Sequence, residues 1–390
     1  MEAIFWTSIG LILYTFLGYP ILITLLSRVT KNQKSQEELE WEDLPPVTLM
    51  IAAYNEEDII KDKIENSLKL TYPKDKLDVL FVTDGTTDNS LSILRKHPEV
   101  YYSHSPARKG KIAAINRVMS EITTPITIFT DANVMLNPEA VWKMVNHFQS
   151  NNVAAVSGEK VVLSSNHDAA SGTGEGAYWR YESYLKKKDA EWNTLVGSAG
   201  ELLGIRTHLF TPTPEDTVIE DFVMTVNYAI QGYKVAYEPE ARAVETASAN
   251  VEEEEKRKIR ISAGGIQAIS RLPQALNLIS NPKLAFQYIS HRALRWTLVP
   301  LAFVTAFFSS FFLIKEGWVF SLAFVVQVIF YGFALMGYFY RDKAIKRKIL
   351  HLPYYFTFMQ ICVVKGWVRF FQGSQKVTWE KAKRAVQVSA

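Results

Sequence analysis

Three stretches of this chain carry no charge: Ala3 to Ser27, Trp296 to Ile314 and Gly317 to Tyr340. No other feature restricts the fold as severely. Each is close to the roughly 20 apolar residues that take a helix across a bilayer core. The second and third are separated only by Lys315 and Glu316, which reads as a hairpin out and back. Buried helices of a soluble core are the competing reading, and three such runs in one chain weigh against it. The first run starts with Glu2 instead of basic residues and shows no small-residue cleavage site, so it reads as an anchor and not as a cleaved leader. Basic residues follow the first run (Arg28, Lys31, Lys34) and the third (Arg341, Lys343, Lys346, Arg347, Lys348). The positive-inside rule then predicts a multi-pass inner-membrane protein with residues 28–295 and the C-terminal tail in the cytoplasm. The lone Cys362 excludes an internal disulfide and agrees with a reducing compartment. A net charge of +3 is too small to argue for nucleic acid. The basic residues beside the spans suit membrane lipid instead.

Between the first two spans the pattern changes. Residues 28–45 are polar, a linker ending at Pro45-Pro46. Strand-like runs then alternate with helical ones. Val47 to Ala53, Leu77 to Thr83, Tyr101-Tyr102 and Ile126 to Thr130 read as strands; Ile59 to about Leu70 and Ile112 to Ile122 read as helices. Such alternation predicts an α/β domain with a mainly parallel sheet, whose ligands bind beyond the carboxyl ends of the strands. Tyr54-Asn55-Glu56, Asp84 to Asp88 and Asp131-Ala132-Asn133 each follow a strand directly. One crevice should collect all three. Asp131 and Asn133 stand two apart and offer hard oxygen donors, suited to Mg²⁺ or Mn²⁺. A plain turn with Asx capping is the alternative for that pair.

The same segments carry a family resemblance. Ala52-Ala-Tyr-Asn-Glu-Glu57, Val82-Thr-Asp-Gly-Thr-Thr-Asp-Asn-Ser90, Lys109-Gly-Lys111, Asp131-Ala-Asn133 and Val218-Ile-Glu-Asp-Phe222 together resemble membrane-bound family 2 glycosyltransferases of the GT-A fold, the polysaccharide-synthase-like members related to cellulose and poly-N-acetylglucosamine synthases. The resemblance implies a cytoplasmic GT-A catalytic domain over residues 46–275. It implies a UDP-sugar donor bound by Ala53, Tyr54, Glu56, Asp84, Lys109, Lys111, Asp131 and Arg260. Asp131 and Asn133 match the family's Asp-x-Asp metal site, with Asn in the second acidic place and one negative charge fewer. Asp221 is expected as general base, held ionised by the dipole of the helix it opens, with Glu220 orienting the site. Asp88 is expected to cap. Gly174-Glu-Gly176, Tyr178-Trp-Arg-Tyr181 and Gly197-Ser-Ala-Gly200 resemble the acceptor region, with Tyr178, Trp179 and Gly200 as binding residues. Where processive relatives carry Gln-x-x-Arg-Trp, this chain reads Arg257-Lys-Ile-Arg-Ile261. The missing Trp argues against long-chain synthesis.

The charged run Glu252 to Arg260 is expected to form a mostly solvated helix face. Residues 281–295 alternate aromatic and basic residues, and 276–295 reads as an interfacial helix before the hairpin of 296–340. Within 341–390, Leu352 to Val364 reads as interfacial or re-entrant, ahead of a basic tail, Lys376 to Arg384. The function expected is an inverting, metal-dependent transfer from a UDP-sugar to a lipid-linked or growing glycan in surface or exopolysaccharide synthesis, with polysaccharide export proteins as possible partners. The alternatives are a glycolipid synthase that adds one sugar, or a non-catalytic member of an export complex.

Overall fold

A computed structural model describes residues 1–30, 38–163, 169–246, 250–340 and 348–375. Lys31, Lys34, Arg341, Lys343, Lys346, Arg347 and the tail from Lys376 to Arg384 lie outside the described residues, as does the side chain of Lys348. Among the described residues the strands are β1 (Val47–Ala53), β2 (Leu77–Asp84), β3 (Tyr101–Ser105), β4 (Ile126–Asp131), β5 (Met135–Leu136), β6 (Val153–Leu163), β7 (Leu202–Arg206) and β8 (Lys234–Thr246). They form one sheet in the order β3-β2-β1-β4-β7-β6-β8-β5. The first half is parallel, β1 lying between β2 and β4. β7 then enters antiparallel to both β4 and β6, so the sheet is mixed.

The chain reverses direction of travel across the sheet at β1, and there the carboxyl ends of β1, β2 and β4 come level. Ala52 pairs with Asp131, Ala53 with Thr83, and Asp84 with Ser105. The expected convergence of three strand ends is therefore present. β1 is buried along its whole length, as a strand covered on both faces must be. The loops after β1 and β2 are laced together. Asn55 Oδ1 accepts the Thr87 N–H at 2.8 Å, and Asp88 takes the Glu57 N–H at 2.9 Å and the Ser90 N–H at 3.0 Å. Asp88 thus ties the two loops together and takes the first N–H of the helix Ser90–Leu94, while the N-cap position itself falls to Asn89.

Among the described residues, two helices are long and apolar enough to cross a membrane, Glu2–Thr30 and Trp318–Phe339. A third span is present if Pro282–Trp296 and Leu298–Phe312, which meet at 57°, count as one. These helices mark a membrane protein. The end of the Glu2–Thr30 helix is not free. Tyr19 and Ile23 pack with Leu185 in a buried cluster, and the Thr24 hydroxyl bonds Tyr184 Oη at 2.5 Å. The anchor is thereby fastened to the helix Ala169–Trp192 of the α/β body. The C-terminal helix, Lys348–Phe371, is longer than the stretch Leu352–Val364 picked out by its lack of charge. It continues because Lys365 finds Glu255 and the Trp367 indole donates to the Trp296 carbonyl at 2.6 Å.

Candidate active site

Asp131 ends β4, and Glu220 and Asp221 open the helix Glu220–Ile230. They are 89 residues or more apart in sequence. One ammonium joins them: Lys111 Nζ lies 2.9 Å from Asp131 Oδ1 and 3.1 Å from Glu220 Oε1. All four side chains line one cavity of about 240 Å³. Tyr178, Trp179, Gly200 and Arg260 line it too. The expected catalytic, acceptor and part of the donor residues thus meet in one place.

A smaller cavity adjoins it, lined by Ala53, Tyr54, Asp84, Arg108, Gly110 and Lys111. Lys111 belongs to both walls and stands between the two cavities. Asp84 Oδ2 accepts the backbone N–H groups of Lys109 and Gly110, at 2.8 and 2.6 Å. Two donors that would otherwise face an anion at this helix start are therefore already occupied. Three expected residues stand outside both cavity walls. The Lys109 side chain is exposed, while Glu56 and Asn133 are buried. Arg108 was missed in sequence; its guanidinium lies 4.0 Å over the Tyr54 ring. No pattern marked it beyond its place next to Lys109.

The electrostatics follow from burial. Burial works against the Lys111 ammonium, but Asp131 and Glu220 outweigh it and raise its pKa. Glu220 is the converse: burial opposes its charge, and Lys111 holds its pKa down. Asp221 departs from expectation. Burial, with the like charge of Glu220 beside it, pushes its carboxyl up to about 7. The helix dipole, worth 0.3–1 kcal/mol near a surface, is outweighed. A carboxylate near neutrality is well matched to take a proton at physiological pH. Gly200 makes room for it, since a Cβ there would lie 3.2 Å from Asp221 Cγ.

The wall around Tyr178 and Trp179 holds charges whose burial no sequence pattern singled out. Buried Lys160 bridges Glu201 and Glu245. Glu254 and Lys258, in the run taken for a solvated face, are 3% and 4% exposed. They are covered because that face packs on the C-terminal helix and, through Lys258, on the Tyr178 and Trp179 rings. Arg257 pairs with Glu254 at 2.7 Å and with Glu245 at 3.3 Å. The Trp179 ring has Lys258, Lys160 and Lys186 at 5.1, 5.4 and 5.9 Å from its centroid. Trp296 also lines the cavity and meets the Phe222 ring edge-on at 5.2 Å. An indole therefore reaches the site from a helix remote from Ile261, where the motif would have supplied one.

Of the expected metal pair only Asp131 faces the cavity; Asn133, drawn into the body after the strand end, is buried outside its wall. A hard divalent ion here would rest on Asp131 and on the phosphate oxygens of a substrate. Among the described residues no group of three acidic, His or Cys side chains could hold a metal unaided.

The family profile described as Glycosyl transferase family 2 matches residues 48–209, from β1 into the turn after β7. The chain carries a family 2 glycosyltransferase domain. The matched segment ends before Glu220 and Asp221. The chain is distantly related to poly-beta-1,6-N-acetyl-D-glucosamine synthases. The protein of Staphylococcus aureus (strain MSSA476) is 24% identical over 259 residues, covering 63% of this chain and 60% of that protein. The one from Staphylococcus epidermidis is 22% identical over 284 residues, covering 69% and 64%. The chain thus spans less than two thirds of the length of these curated relatives. Among solved structures, the mannosyltransferase PcManGT from Pyrobaculum calidifontis, in complex with GDP-Man and Mn²⁺, matches with a TM-score of 0.72 at 20% identity. That match covers 96% of this chain and 99% of the other, and it bears out the expected GT-A-like fold.

Proposed function

We propose that this glycosyltransferase inverts the anomeric centre of a UDP-sugar as it transfers the sugar to a lipid-linked or growing glycan at the cytoplasmic face of the inner membrane. What carries the proposal is the single cavity shared by Asp131, Lys111, Glu220 and Asp221. In this reading the nucleoside lies against Ala53, Tyr54 and Asp84, with Arg108 closing over Tyr54. Lys111 and Arg260 face the diphosphate and stabilise the charge that develops as the glycosidic bond breaks. Asp221 takes the proton of the acceptor hydroxyl, whose oxygen attacks the anomeric carbon opposite the leaving diphosphate. Glu220 holds Lys111 and, by its charge, keeps Asp221 basic. Tyr178 and Trp179 offer aromatic faces to the acceptor sugar. A bound Mg²⁺ or Mn²⁺, held by Asp131, would offset charge on the diphosphate oxygens.

The staphylococcal relatives favour a glycan product, and the GDP-Man of PcManGT makes a GDP-sugar the competing donor. Purified full-length protein in nanodiscs, offered a panel of UDP- and GDP-sugars with Mn²⁺, should release UDP from at least one donor. Release of GDP alone would overturn the donor assignment, and no release from any donor would favour the non-catalytic reading.

A further inference from the structure

A second cavity, of about 880 Å³, lies among the membrane helices. Its wall comes from the anchor helix (Ile12, Phe16), the hairpin (Phe303, Phe330) and the C-terminal helix (Phe356, Met359). Its size falls within the range of ligand pockets, roughly 300–1,000 Å³. It also meets the active site: Tyr178, Arg292, Trp296, Met359 and Val363 line both cavities. An apolar hollow between candidate spans therefore leads into the wall that holds Asp221. A free sugar has no use for it, and its wall is mainly apolar, with Gln327, Tyr331, Tyr355 and Gln360 among the polar exceptions, which suits a hydrocarbon chain better than a sliding polysaccharide.

Lys186 adds an independent observation. It lines the active-site cavity yet is only 4% exposed. Among the described residues its ammonium makes no hydrogen bond or ion pair; its recorded contact is with the Trp179 ring at 5.9 Å. Its cationic neighbours are satisfied. Arg292 meets Glu182 at 2.9 Å, Arg295 meets the same carboxylate, and Lys160 has two acids. Burial and the nearby Arg292 lower the Lys186 pKa, against the opposing pull of Glu159, Glu182 and Glu201. A buried ammonium with no anion in direct contact is destabilised, and an arriving phosphate would relieve it.

Resting on the transferase reading above, we propose that the acceptor is a phosphate-linked lipid. Its hydrocarbon chain lies in the apolar cavity, its phosphate meets Lys186, and its sugar rests on Trp179 with a hydroxyl towards Asp221. The probe is a long-chain alkyl phosphate bearing a diazirine at the chain end, with the alcohol of equal length as control. After illumination of the full chain in nanodiscs, label should concentrate on peptides holding Ile12, Phe303 and Met359. Lys186→Met should lower capture of the phosphate probe at least tenfold relative to the alcohol, and Ile12→Trp, which fills the hollow, should block both probes. Label spread evenly over lipid-facing helix surfaces, or a phosphate-to-alcohol ratio unmoved by Lys186→Met, would overturn the site. Nucleotide release read on the same preparation separates the two claims. Turnover with unfocused label removes this lipid site and leaves the transferase; focused label on protein that turns over no donor removes the acceptor role.

Discussion

Asp221 shows a local rule giving way to its surroundings. A carboxylate in a first helical turn is ordinarily favoured in its charged form, yet burial beside Glu220 raises this one to about 7. Acceptor-dependent turnover should therefore rise with pH through an apparent pKa near 7, as Asp221 ionises. Glu220→Gln removes the like charge and should move that limb to lower pH, which a pH–kcat/KM profile reads directly. An upward shift would contradict the account. Asp221→Asn should abolish turnover while leaving UDP affinity within a few-fold in a binding titration; loss of UDP binding would remove Asp221 from the role of base. At the donor side, Asp131→Ala should eliminate the Mn²⁺-dependent part of UDP binding. Equal binding with and without EDTA in the unsubstituted protein would exclude a metal role for Asp131.

At the scale of elements, the strands of the first half were legible because β-branched runs ending in Asx and Gly punctuate them. β1, β2 and β4 follow the sequence pattern almost residue for residue. The charged acceptor wall was not legible. Lys160, Glu201 and Glu245 come from separate segments, and only the order β7-β6-β8 brings them together. Nor could charge spacing reveal that Glu254 and Lys258 are covered, since the covering helix is more than 90 residues on. That helix crosses Val251–Arg271 at Gly366, where a Cβ would stand 2.6 Å from Ser262 Cβ and 2.9 Å from the Ala263 nitrogen. Gly366→Val should cost about 1–3 kcal/mol by overpacking, seen as a lower Tm. Gly332→Ala, with nothing within 4 Å of the added carbon, should leave Tm unchanged and serves as the control.

On the scale of the whole molecule, the anchor, the hairpin and the C-terminal helix do more than hold an enzyme at a surface. The anchor bonds the Leu298–Phe312 helix through Ser8 and Thr305 at 2.7 Å and the α/β body through Tyr19 and Asp189. Membrane helices and active site are thus one packed unit, with Arg292, Trp296 and Met359 at the seam. The central claim is that distant acids gather around one diphosphate at that seam. A single-particle structure of the full chain in a nanodisc, with Mn²⁺ and a non-hydrolysable UDP-sugar, tests it most directly. The account predicts the diphosphate between Asp131 and Lys111, the nucleoside against Tyr54, and the sugar pointing towards Asp221. Nucleotide bound away from Lys111, or a sugar facing away from Asp221, would contradict it.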